Sequence, residues 1–199
     1  KCAILFVNDV GVKSPDFDAT YCRKGPKMKY AYCNGKILNG TKDMQVQEGL
    51  CILTDGEKIT DIVPKEQVPA EYEAVDLAGK YIMPGLINMH VHLAGNGKPQ
   101  KKQRDNEKLV RNLMGTALSR AVAYKVVSGF AKTELMSGVT TIRTVGGLGD
   151  FDTRLRDEIK AGKTGPRILA ANQGISVPGG HMAGSVAVAA KNNEEALAH

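Results

Sequence analysis

No apolar run in the chain approaches the roughly 20 residues that span a bilayer, so no helical membrane span is predicted. Ala3 to Val7 is too short for the core of a signal peptide, and no small-residue cleavage site follows it. The expectation is a soluble, cytoplasmic protein with no membrane partner. Paired-cysteine spacing is also missing. Cys2, Cys22, Cys33 and Cys51 form no CxxC and have no histidines at zinc-finger distances. In a chain of this size they are predicted to be free, buried thiols. Aromatic residues are scarce, at 5%. None interleaves with the basic cluster Lys101, Lys102, Arg104, Lys108 and Arg111 before Tyr124. The net charge of +6 and pI near 9.1 therefore read as a solvated loop and helix face, with no nucleic acid as partner. Gly146-Gly147-Leu148-Gly149 lacks the GxGxxG spacing and excludes a dinucleotide fingerprint.

What is present is ordinary for a folded domain. The 199 residues carry 42% hydrophobic and 24% charged side chains, enough for one to two domains with a real core. Residues 1–27 hold turn material (Ser14-Pro15-Asp16, Lys24-Gly25-Pro26-Lys27) before Met28, and are read as a leader, a tag or a mis-set start. Residues 28–82 are short strands broken by turns. Asn34-Gly35 predicts a hairpin between Tyr30–Cys33 and Lys36–Leu38, and Asp55-Gly56 predicts another between Leu50–Leu53 and Lys58–Val63. A β unit of this size is marginal alone.

The segment Pro84-Gly85-Leu86-Ile87-Asn88-Met89-His90-Val91-His92-Leu93 opens residues 83–199. Read as a strand, its period of two puts Ile87, Met89 and Val91 on one side and both histidines on the other. Two imidazoles on one rigid face can share a metal ion. After His92 helix and strand alternate. Asp105 to Phe130 is predicted as one helix with Leu109, Leu113, Ala117, Ala121 and Tyr124 inward, continuing to Met136 and closed by Gly138. Val139–Val145 is a β-branched strand, Thr153–Ala161 a helix, Arg167–Ala171 a strand, and Ser176–Gly184 a loop holding Pro178-Gly179-Gly180-His181. A capped helix starts near Asn193. This alternation implies a parallel sheet with helices outside it, whose chemistry gathers at the carboxyl ends of the strands. His90 and His92, Thr144–Gly147 and His181 are predicted to converge on that rim. Arg143 is read as a paired structural arginine.

With these motifs in order, PGLINMHVHL, GVTTIRTVGG, GPRILAA and PGGH, the chain resembles the amidohydrolase superfamily of metal-dependent hydrolases. More narrowly it resembles the branch of imidazolonepropionase-like proteins and the Xaa-Pro dipeptidase and ochratoxinase-like amidohydrolases. The resemblance implies an α/β fold: the first three βα units of a TIM (β/α)8 barrel, preceded by part of a small β-sandwich. It implies one or two divalent ions, usually Zn2+, with His90 and His92 as first-strand ligands and the remaining ligands beyond the chain end. It implies hydrolysis of amide- or peptide-type C–N bonds by a metal-activated water on a small-molecule amide or dipeptide, in an enzyme that is homo-oligomeric at full length. His181 is the candidate for contacting the substrate carbonyl. Thr144 stands where relatives often carry an aspartate. A barrel takes about 250 residues, so the chain is expected to be an N-terminal fragment, inactive in isolation. Deamination or cyclic-amide opening, and a non-catalytic truncated product, are the alternatives.

Overall fold

A computed structural model describes residues 4–7, 29–95, 97 and 105–199. The cluster at Lys101, Lys102 and Arg104 lies outside the described residues. The fold is mixed α/β, and contacts divide it into two compact units, Lys1–Leu86 and Ile87–His199.

The first unit holds β1 (Ile4–Val7), β2 (Lys29–Cys33), β3 (Lys36–Leu38), β4 (Val46–Gln47), β5 (Leu50–Asp55), β6 (Lys58–Pro64), β7 (Glu73–Asp76) and β8 (Tyr81–Pro84). They form two four-stranded sheets, ordered β1-β8-β3-β4 and β6-β5-β2-β7. Asp55-Gly56 closes the β5–β6 hairpin as predicted, with Asp55 opposite Lys58. Asn34-Gly35 does not make a hairpin. β2 pairs with β5 and β7, and β3 pairs with β4 and β8. The turn is a corner where the chain passes from one sheet into the other. A second segment turns beside it, since β7 runs parallel to β2 and β8 parallel to β3. Leu77 N–H donates to Cys33 O at 2.9 Å, Gly79 N–H to Asn34 O at 2.7 Å and Lys36 N–H to Lys80 O at 3.0 Å. Asn34 takes the left-handed conformation (φ 56°) and its amide donates to Asp76 Oδ1 at 2.8 Å. A Cβ on Gly35 would lie 2.5 Å from Leu77 Cδ1, so the corner needs glycine for close approach.

Alternation sends Tyr32 and Ile52 to one face with Ile37, Leu77 and Ile82. Ala31, Cys33, Cys51 and Leu53 go to the other, under Val63, Val68 and Tyr72. Cys33 and Cys51 are not free thiols. They are joined by a disulfide across β2 and β5, with Cα atoms 4.3 Å apart. The register that pairs Tyr32 with Ile52 sets them opposite each other, which no sequence spacing discloses.

The second unit carries a three-stranded sheet, β11 (Arg167–Leu169), β10 (Val139–Thr144) and β9 (Leu86–Val91), in that order, with β10 and β11 parallel. Its core is Val91, Leu93, Ile142 and Ile168 from the strands and following turns, against Ala123, Tyr124, Val127, Ala131, Phe151 and Leu155 from the helices. The predicted single helix is two, α1 (Asn106–Met114) and α2 (Ala117–Met136). Gly115 ends the first and Thr116 caps the second, its hydroxyl accepting from Ser119 N–H while Ser119 Oγ accepts from Thr116 N–H, both at 3.1 Å. That restart rotates the buried stripe to Ala123, Tyr124, Val127 and Ala131, leaving Ala117 and Ala121 exposed. α3 (Phe151–Lys160) follows β10. After β11, the predicted loop is bounded by two short parallel strands, β12 (Gly174–Ser176) and β13 (Ala187–Ala189), before α4 (Asn193–Leu197).

Candidate functional site

β9 delivers His90 and His92 to one face: their ring centroids lie 5.2 Å apart, edge to face. His90 is exposed, and its N–H donates to Asn88 Oδ1 at 3.2 Å. His92 is half-buried, with Nδ1 3.1 Å from Gly146 O. A carbonyl oxygen only accepts, so Nδ1 carries the proton and Nε2 keeps its lone pair. A backbone carbonyl on the far nitrogen is the arrangement that orients a metal-binding imidazole.

Gly146 and Gly147, following β10, are pressed between two groups. Gly146 has φ 150°, and a Cβ there would meet the His92 ring at 3.2 Å. A Cβ on Gly147 would meet Asp152 Oδ2 at 2.6 Å. Val145 N–H donates to Val91 O at 3.1 Å, fixing the other flank of this turn to β9. Sequence reasoning missed Asp152. It is the second residue of α3, 1% exposed, and neither carboxyl oxygen has a hydrogen-bond partner. Burial raises its pKa, opposed by the nearby Thr144 hydroxyl and the Asn172 backbone. An acidic residue in a first helical turn reads as a surface cap, and nothing local signals that this one is buried.

Thr144 is fully buried, and its Oγ1 accepts from Ala171 N–H at 3.0 Å, so it ties β10 to the end of β11. Arg143 Nε donates to Met89 O at 3.0 Å, a structural pairing as expected. His181 is exposed in the loop between β12 and β13, where Gly180 N–H donates to Val177 O at 2.9 Å. Gly184, at the end of that loop, packs over Glu107 of α1, where a Cβ would come within 2.8 Å of Glu107 Cγ. The structure brings His90 and His92 together; no hydrogen bond or ring contact joins His181 to either among the described residues. Among those residues no group of three or more His, Cys, Asp or Glu could enclose a metal ion. Two neighbouring imidazoles have the donor chemistry of a divalent-metal site.

An imidazolonepropionase of Pseudomonas aeruginosa (strain LESB58) is 34% identical over 82 residues, which is 39% of this chain and 20% of that protein. A Bifidobacterium longum protein assigned as a prolidase has a similar structure, with TM-score 0.62 and 33% identity over 86% of this chain and 37% of its own. A Xaa-Pro dipeptidase with methionine bound in its active site matches at TM-score 0.55 and 30% identity, over 74% of this chain and 34% of its own. The matched part thus spans about a fifth of the curated relative and about a third of each solved chain. The model of the amidohydrolase family matches residues 81–199, and the chain belongs to that family.

Proposed function

We propose that the chain is the N-terminal part of a metal-dependent hydrolase acting on C–N bonds of amide or peptide type in a small molecule. The observation that carries this is the His92 Nδ1 contact with Gly146 O at 3.1 Å, which leaves Nε2 available on the face shared with His90. Membership of the amidohydrolase family and the prolidase and dipeptidase neighbours support it. In this reading β9, β10 and β11 are the first three strands of a (β/α)8 barrel, and β1 to β8 belong to a β-sandwich. His90 and His92 hold one side of a divalent-metal site, zinc in first place, and the longer protein supplies the other ligands. The ion contributes Lewis acidity and a hydroxide nucleophile at neutral pH when bound. Gly146 O keeps the proton on Nδ1 of His92 and so directs Nε2 outward, and Asn88 steadies the backbone of His90. His181, on its glycine-rich loop, donates to the substrate carbonyl. The full-length enzyme is a homo-oligomer in this reading.

The test uses the longer protein carrying this chain. Purified protein is expected to hold zinc and to release amino acid from dipeptides, with His90→Ala and His92→Ala each losing both properties. Wild-type protein that binds no divalent metal overturns the proposal. The imidazolonepropionase relative favours a second reading, opening of a cyclic amide or deamination. Cyclic-amide turnover or ammonia release without dipeptide cleavage would decide for it.

A further inference from the structure

We propose that Asp152 is a positioning residue of the paired-histidine site, holding the Gly146-Gly147 turn against the His92 ring. On one side a Cβ at Gly146 would lie 3.2 Å from both His92 Cε1 and Nδ1; on the other, a Cβ at Gly147 would lie 2.6 to 2.9 Å from the Asp152 carboxyl. Backbone and ring are therefore in contact above, and backbone and carboxyl below. Asp152 pushes from a fixed base, because Thr153 N–H donates to Asn172 Oδ1 at 3.1 Å and ties the start of α3 to the segment after β11. The flank of the turn is tied to β9 through Val145 and Val91. The remaining freedom is the tilt of the Gly146 carbonyl, and that carbonyl sets which nitrogen of His92 bears the proton.

A carboxyl buried to 1% with neither oxygen partnered is costly, and a leucine would fill the same core position without that cost. What a leucine lacks is the flat, short carboxyl that fits beneath a peptide plane. Gly147 matches this from the other side, since no side chain can stand between the two. Phe151 and Leu155, which flank Asp152 on α3, cover the apolar core, so Asp152 is not needed to fill it.

The inference rests on the metal-site reading, and the experiment separates the two. The chain is labelled with 15N in its four histidines, and ring tautomers are read by long-range 1H–15N NMR without metal. Wild-type His92 is expected to carry its proton on Nδ1. Asp152→Asn, which keeps the shape, retains that state, while Asp152→Ala shifts His92 toward a mixture of tautomers with unchanged circular dichroism. Gly147→Ala produces the same shift from the other side of the turn and serves where Asp152→Ala does not fold. A folded Asp152→Ala with the wild-type tautomer overturns the proposal, as does unfolding of both alanine variants, because a positioning role leaves the core intact. In the longer protein, Asp152→Ala is expected to weaken zinc roughly 10–100-fold in chelator competition, the usual effect of losing a group behind a ligand. Wild-type protein that binds no zinc sinks the metal reading and leaves the tautomer result standing. Unchanged zinc affinity in Asp152→Ala sinks the positioning role.

Discussion

Glu158 on α3 shows how a single carboxylate ties two helices and a loop. It accepts from Lys163 Nζ at 2.8 Å and from Arg154 Nε at 3.1 Å. Arg154 in turn lies over the Tyr124 ring, 3.9 Å from its centroid, and Tyr124 meets Phe151 edge to face at 5.3 Å. Lys163 foremost, then the Tyr124 hydroxyl and Arg154, pull the Glu158 pKa from 4.5 down to about 2. A depressed carboxylate pKa stabilises the fold in full above the unfolded value and loses that contribution as pH falls toward the folded one. With its side chain 34% exposed, solvent screens the effect to about 0.5–1 kcal/mol. Urea denaturation of Glu158→Gln is therefore expected to show a deficit that is constant above about pH 5 and closes as pH approaches 2. A deficit that persists at low pH would mean the side chain acts by packing alone. Residues at this scale divide by how they could be read. His90 and His92 follow from a period of two in a short apolar run, which needs no knowledge of the rest of the chain. Asp152 depends on burial beneath a turn, a property that only tertiary packing confers.

Strand corners and helix breaks separate what local sequence carries from what it does not. Asn34-Gly35 has the composition of a two-residue hairpin turn, but only Asn34 adopts the left-handed φ that such a turn requires at both positions. The dipeptide dictates a reversal of direction but not the partner of each strand. Here β7 and β8 outcompete the local pairing. The α1–α2 break is written in the local sequence. Gly115 followed by Thr116 and, three residues on, Ser119 is a capping box with serine in the usual place of Glu. Thr116→Ala is expected to cost about 1 kcal/mol, measured by thermal unfolding, with no change in the spectrum of the native state. The disulfide belongs to this scale as well, because it joins β2 to β5. With a sequence separation of 18 between the cysteines, chain-entropy arguments give it about 3 kcal/mol. Non-reducing peptide mapping is expected to recover the Cys33 and Cys51 peptides linked, and Cys51→Ser to unfold at lower urea. Such bonds persist in oxidising compartments, which goes against the cytoplasmic placement expected from the sequence.

At the scale of the molecule, the unpartnered apolar surface is the dominant feature. Leu118, Val122 and Val126 recur every four residues on α2, exposed at 78%, 54% and 49%. Ile87 and Met89 on β9 are exposed at 63% and 48%, opposite in register to the histidines. Among the described residues β9 and β11 are the edges of their sheet. Exposed apolar edges and stripes of this kind favour association. The isolated chain is expected to self-associate with rising concentration in sedimentation velocity, and Leu118→Lys with Val122→Lys to reduce it. A chain that stays monomeric at high concentration would argue that this surface needs no cover. No helix among the described residues is long and apolar enough to cross a membrane.

The paired bend at the corner constrains the order of synthesis. Asn34 and Asp76, which clasp each other there, are 42 residues apart. A ribosome that has extruded β2 through β6 has released one ready hairpin, but β2 still lacks its β7 neighbour and β3 lacks β8. Domains tend to fold as units during translation. The sheet β6-β5-β2-β7 therefore cannot be completed until Glu73–Asp76 has emerged, nor the other until Tyr81–Pro84 has, and that last strand leads directly into the one that bears the histidines. Completion of the first unit is thereby timed to the appearance of His90 and His92.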